Sequence, residues 1–172
     1  DVLRTVKYAD PQNPNSHQLP AKHKLHEQSL NVQGTVLWYA AAVVNNPGNY
    51  AKLLQNNYWR YPALQPLMPF IDDKAPKKPR SLKVSWSDDG CLLYWKAPKG
   101  KGWENEAYKY VVYRFGPDEE IDLDNPTKIV AITYQPALRL NYNGGETKYT
   151  YVVTALDRMS NESVGKKKKI RL

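Results

Sequence analysis

Beyond residue 80, apolar positions alternate with polar ones in short runs, the period of strands with one buried face. Leu82, Val84 and Trp86 alternate first, Asp88-Asp89-Gly90 turns the chain, and Cys91, Leu93 and Trp95 alternate again. Runs from Tyr108 to Phe115, Lys128 to Thr133, Ala137 to Tyr142, Tyr149 to Leu156 and from Val164 onward read the same way, with Gly144-Gly145 supplying a tight turn. In the Tyr149 run, Tyr149, Tyr151, Val153 and Ala155 share one face, and Thr150, Val152, Thr154 and Leu156 the other. Seven short strands in about 95 residues predict a β-sandwich. Its expected core is Leu82, Val84, Leu93, Trp95, Tyr110, Val112, Tyr151, Val153 and Ala155.

The first half has another pattern. Residues 1–31 are polar and weakly periodic: Val2, Leu3 and Val6 offer one short helical face, and Asp10 to Ser16 is turn chemistry. Pro20 stands where a helix can begin, and Ala21 to Leu30 holds good helix formers. Gly34 to Val44 is a continuous apolar run without alternation, which suits a strand covered on both faces, although periodicity alone also admits a buried helix. Asn46-Pro47 makes a good N-cap and first turn, and Tyr50, Leu53, Leu54 and Tyr58 then recur at helical spacing. Strand, loop and helix make one β/α unit, which cannot bury both faces of its strand alone. Tyr61 to Phe70 is apolar but broken by prolines, and an abrupt change of composition follows. The expected organisation is an α/β segment over 1–71, a Pro/Lys-rich linker over 72–80 and the sandwich over 81–172.

Charge changes this picture little. Of the net +8, much sits in Lys74 to Arg80 and in Lys166-Lys167-Lys168-Lys169. The second run falls on an expected edge strand, where lysine discourages edge-to-edge pairing. No aromatic residues interleave with these lysines, so a solvated face is expected and nucleic acid is not a predicted partner. The single Cys91 excludes an intramolecular disulfide, and its alternation with Leu93 and Trp95 makes it a buried, inert thiol. No apolar run approaches the roughly 20 residues of a membrane span. The sequence starts at Asp1 without a Met, as a processed product or a piece of a longer protein would.

Residues 76–172 resemble a fibronectin type III domain. The features are the Pro-rich lead-in, Trp95, Tyr110-x-Val112, and Tyr149-x-x-x-Val153-x-Ala155 followed by Asn161-Glu162-Ser163. That resemblance implies that the Tyr149 hydroxyl bonds nearby backbone at a corner between sheets. With Gln33 to Tyr39, Asn46-Pro47-Gly48 and Tyr58 to Pro66 added, about residues 30–172 are similar to the end of the catalytic barrel, and the following domain, of family-10-like bacterial glycoside hydrolases. Tyr113-Arg114-Phe115 and Val153 to Arg158 belong to the same resemblance. It implies the last β/α unit of a (β/α)8 barrel ahead of a seven-stranded sandwich, a secreted or periplasmic location, and the missing N-terminal barrel as partner. A full barrel needs about 250 residues, far more than the first half offers.

Glycoside hydrolysis normally uses two opposed carboxylic groups. The first half offers Asp1, Asp10, Glu27, Asp72 and Asp73, none at a recognisable strand end, so no catalytic residue is assigned and this chain alone is expected to be inactive. Trp38 and Tyr39, near the end of the apolar run, and Trp103, on a glycine- and lysine-rich loop, are the candidates to stack on a polysaccharide; for Trp38 and Trp103 the plain alternative is packing. His17, His23 and His26 lack metal-site spacing and read as loop and helix surface, and the acidic loop Asp118 to Asn125 lacks the pattern of a calcium loop. No cofactor is predicted. A stand-alone binding or spacer module is the rival reading of the sandwich.

Overall fold

The alternating runs of the second half form antiparallel strands: β1 (Arg80–Ser87), β2 (Gly90–Lys96), β3 (Lys109–Phe115), β4 (Ile129–Thr133), β5 (Ala137–Leu140), β6 (Lys148–Leu156) and β7 (Lys166–Arg171). The computed structural model describes residues 18–172 except 33, 39, 89, 101 and 103–105, and among these the seven strands build two sheets, ordered β1-β2-β5 and β4-β3-β6-β7. The molecule is mainly a β-sandwich. Gly90 is required at the first hairpin, because its φ is +116° and a Cβ there would sit 3.0 Å from the Leu140 carbonyl oxygen.

The predicted inward faces meet as one cluster. Leu82, Leu93, Trp95, Tyr110, Val112, Tyr151, Val153 and Ala155 are buried in it, and Val84 packs against it. Cys91, Leu140, Ile170 and Leu172 complete it, so the thiol is enclosed and burial raises its pKa. Trp95 and Tyr110 meet edge to face at 5.3 Å. β7, with its four lysines, is an edge of the four-stranded sheet, as its sequence suggests.

Strand β6 is buried on both faces, which alternation did not reveal. Val111, Tyr113, Phe115, Ile129, Val152 and Leu156 form a second cluster on the outer face of the four-stranded sheet. Leu64 from the proline-broken stretch and Leu123 from the acidic loop cover it. The same stretch is tied down where Asn161 Nδ2 donates to the Asp72 carbonyl at 3.0 Å. The chain divides into compact units at Tyr61/Pro62, so residues 62–80 belong with the sandwich.

The corner expected of Tyr149 does not form. Among the described residues no hydrogen bond engages its hydroxyl; the Arg114 guanidinium instead lies over its ring, 4.9 Å from the centroid. Tyr149 sits opposite Ile170 in the ladder and packs on the inner cluster, so its ring is used and its hydroxyl is not.

The first unit is helical. α1 (Gln18–Glu27) matches the expected helix, α2 is Ala40–Val44, and α3 (Tyr50–Leu53) continues as a π turn over Leu54–Tyr58. The helix does not start at Pro47 as expected: Pro47–Asn49 is a 3-10 turn, Asn49 stands at the N-cap of α3, and the Asn46 side chain accepts from the Ala51 backbone N–H at 2.8 Å across that turn. The strand expected over Gly34 to Val44 is corrected: among the described residues no strand precedes Arg80, and the second half of the run is α2. A parallel strand needs a ladder partner for its backbone groups, and without one an Ala-rich run satisfies them internally as helix. Tyr50 and Leu54 are the buried centre of this unit, with Leu37, Val43 and Tyr58 against them. No helix among the described residues is long and apolar enough to cross a membrane.

Candidate functional site

In the first unit, α1 and the π turn bring His23, His26, Glu27, Thr35, Tyr58 and Trp59 around a cavity of about 210 Å³. His23 is not on the surface, as its sequence context suggested, but buried at 6% exposure. Its Nε2 lies 3.1 Å from the Tyr50 hydroxyl, and its ring centroid is 5.3 Å from that of Tyr58 and 6.0 Å from that of Trp59. Burial lowers its pKa, His26 adds to the effect, and Glu27 opposes it. His26 Nδ1 lies 3.0 Å from the Thr35 hydroxyl. The missed signal was that an i, i+3 pair of histidines preceded an aromatic-rich helix able to cover one of them.

Trp38 lies just ahead of α2 and is 79% exposed; Tyr39 and Trp103 lie outside the described residues. Glu27 is the one carboxylate among the described residues of this unit, whereas paired-carboxylate hydrolysis needs two. Among the described residues no group of three metal-ligating side chains is positioned to hold an ion.

In the sandwich, the carboxylates nearest the core are structural. Asp157 Oδ1 accepts from the backbone N–H groups of Met159 and Asn161 at 2.8 and 2.9 Å, and its Oδ2 from Asn161 Nδ2 at 2.9 Å. Glu162 Oε1 accepts from the Tyr113 hydroxyl at 2.8 Å and from the Thr154 hydroxyl at 2.5 Å. Burial, and then the bond to Glu162, push the Tyr113 pKa well above the ordinary tyrosine value. Ser163 Oγ accepts from the Ala155 N–H at 2.9 Å. The Asn161-Glu162-Ser163 motif thus pins the chain between β6 and β7. In the acidic loop, Glu119 pairs with Lys128 and accepts from the Gly116 N–H at 2.9 Å, a use that needs no ion.

Beside Glu162 the sandwich has a groove of about 540 Å³, lined by Ala75, Pro76 and Val164 together with Lys77, Lys78, Arg80 and Lys99. The density of lysine in 74–80 was its sequence signal, set aside because that stretch read as a linker. The outer face of the three-stranded sheet is mostly polar: Lys83, Ser85, Lys96 and Arg139 surround Leu92 and Tyr94.

No family model matches the chain. It is similar to glycosyl hydrolase YngK of Bacillus subtilis (strain 168), at 32% identity over 146 residues, which are 84% of this chain and 28% of that protein. The chain thus spans less than a third of this relative. Among solved structures, an Fn3-like protein from Clostridium thermocellum aligns at 23% identity and a TM-score of 0.40, over 56% of this chain and 92% of that one. The twitchin kinase region from C. elegans aligns at 14% identity and a TM-score of 0.46, over 58% of this chain and 17% of that one.

Proposed function

We propose that this chain is the C-terminal part of a secreted or periplasmic glycoside hydrolase, comprising the tail of its catalytic (β/α)8 barrel and a non-catalytic, fibronectin type III-like accessory domain. The similarity to a protein named glycosyl hydrolase, across 84% of this chain, carries the reading. The match covers 28% of that relative, which leaves room in such a protein for a barrel of about 250 residues. Within this reading Trp38 and Tyr39 belong to the barrel's sugar-facing end. An accessory role for the sandwich is supported by Asp157 and Glu162, which are engaged by backbone and hydroxyl donors rather than set across a cleft.

Activity on aryl glycosides tests this. A chain extended upstream to the length of the relative is expected to turn over substrate, while residues 1–172 alone are not. An extended chain that folds but shows no hydrolase activity on a broad glycoside panel would remove the assignment. The polar outer face of the three-stranded sheet favours a spacer role over a sheet-face sugar platform for the sandwich.

A further inference from the structure

The cations of the sandwich are not scattered. Lys77, Lys78, Arg80 and Lys99 rim the groove beside Glu162, four positive side chains to one carboxylate. One oxygen of that carboxylate is already engaged by Tyr113 and Thr154. Among the described residues, no ion pair joins Lys77, Lys78 or Lys99 to an acid. The floor is apolar, formed by Ala75, Pro76 and Val164, the last 71% exposed. Its volume, about 540 Å³, lies within the range of sites that hold small molecules or short polymer segments.

The register of β6 and β7 continues this feature. Glu162 bridges to Leu156 and is bonded by Thr154, both on the outer face of β6. Further along the same face Val152 is opposite Lys167 and Thr150 opposite Lys169. Same-face neighbours on a strand are about 7 Å apart. The groove, Lys167 and Lys169 therefore follow one another along a single line, with Gly165 keeping the chain close to Val152: a Cβ there would sit 2.3 Å from Val152 Cγ1.

We propose that this line is a binding track for a linear anionic polysaccharide. An apolar floor suits the C–H faces of sugar rings, and cations along one side suit charges repeated along a chain. The choice of a sugar polymer rests on the glycoside hydrolase reading; the polyanion chemistry does not. Nucleic acid is disfavoured because among the described residues no aromatic side chain lines the groove to stack on bases.

Affinity electrophoresis of the 172-residue chain tests the track, with polygalacturonate and a phosphorylated mannan as the anionic gels and amylose as the neutral control. Retardation by either anionic gel and not by amylose is expected, and which gel acts tells carboxylate from phosphate recognition. It should weaken steeply between low and physiological salt, as contacts made by exposed charges do. The exposed triple variant Lys77→Ala/Lys78→Ala/Lys99→Ala, and separately Lys167→Glu/Lys169→Glu, should each weaken it by about tenfold or more with an unchanged circular dichroism spectrum. No retardation, retardation that both variants retain, or preferential binding of polyglutamate or single-stranded DNA in competition would overturn the proposal. Because the assay reads binding by this chain alone, such a result removes the track and leaves the hydrolase reading to its own activity assay.

Discussion

Two tyrosines show how differently one side-chain type can be used. Tyr113 donates to Glu162 from within the outer cluster, while Tyr149 contributes only its ring. Tyr113→Phe is expected to destabilise the sandwich by about 1.5–3 kcal/mol, the worth of a hydrogen bond to a charged acceptor. Tyr149→Phe should stay within about 0.5 kcal/mol. Urea midpoints of the two variants check both. Strand alternation put the Tyr149 ring on the inner face but did not reveal the outer cluster that holds Tyr113, and that hydroxyl's partner was invisible because Glu162 lies 49 positions away. Titration follows the same environments. Burial raises the pKa of Tyr110, Tyr113 and Tyr151 above the ordinary 10.0. A raised folded-state value means that the unfolded chain loses these protons first, so their contribution is intact below pH 10 and is lost as pH rises beyond it. The urea midpoint should therefore be lower at pH 11 than at pH 9. His23 has the opposite sign. Its folded value is lowered from 6.5, so the first unit should lose stability as pH falls below 6.5, and its ring resonance should titrate below that of an exposed histidine.

At the scale of elements, β6 is the strand whose surroundings the sequence concealed. Its inner face was legible, since Tyr151, Val153 and Ala155 alternate toward a core that also takes Trp95. Its outer face is covered by Leu64 and Leu123, from segments that read as irregular chain and solvated loop. No local period marks such cover, because each covering segment contributes a single side chain. Trp95→Ala is expected to cost about 3–5 kcal/mol as a large core truncation. A sandwich starting at Pro62 should be more stable than one starting at Pro76 by about 1–3 kcal/mol, because the shorter piece loses Leu64 and the Asn161–Asp72 bond. Equal denaturation midpoints for the two pieces would show that the segment contributes nothing. The apolar run of the first half failed as a strand for the converse reason. Periodicity cannot tell a doubly covered strand from a helix, and the ladder partners that would decide are not among the described residues.

At the scale of the whole molecule, Asp157 and Glu162 beside the sandwich core are engaged by backbone and hydroxyl donors, and the first unit carries Glu27 alone among its described residues. Chain sequence made the sandwich readable because each strand alternates within itself. The candidate site was less readable, since a cavity depends on which elements meet. His23 came to rest under Tyr50 and Trp59, and the lysines of a presumed linker rim a groove. Hydrogen exchange should find the first unit less protected than the sandwich, since among its described residues the buried hydrophobic centre is Tyr50 and Leu54. On the proposed reading this chain is part of a glycoside hydrolase whose catalytic pair lies elsewhere in the protein. Turnover of aryl glycosides, measured side by side for residues 1–172 and for the chain extended upstream, tests it most directly. The expected result is activity confined to the extended chain. Turnover by the 172-residue chain that disappears on Glu27→Gln would contradict it.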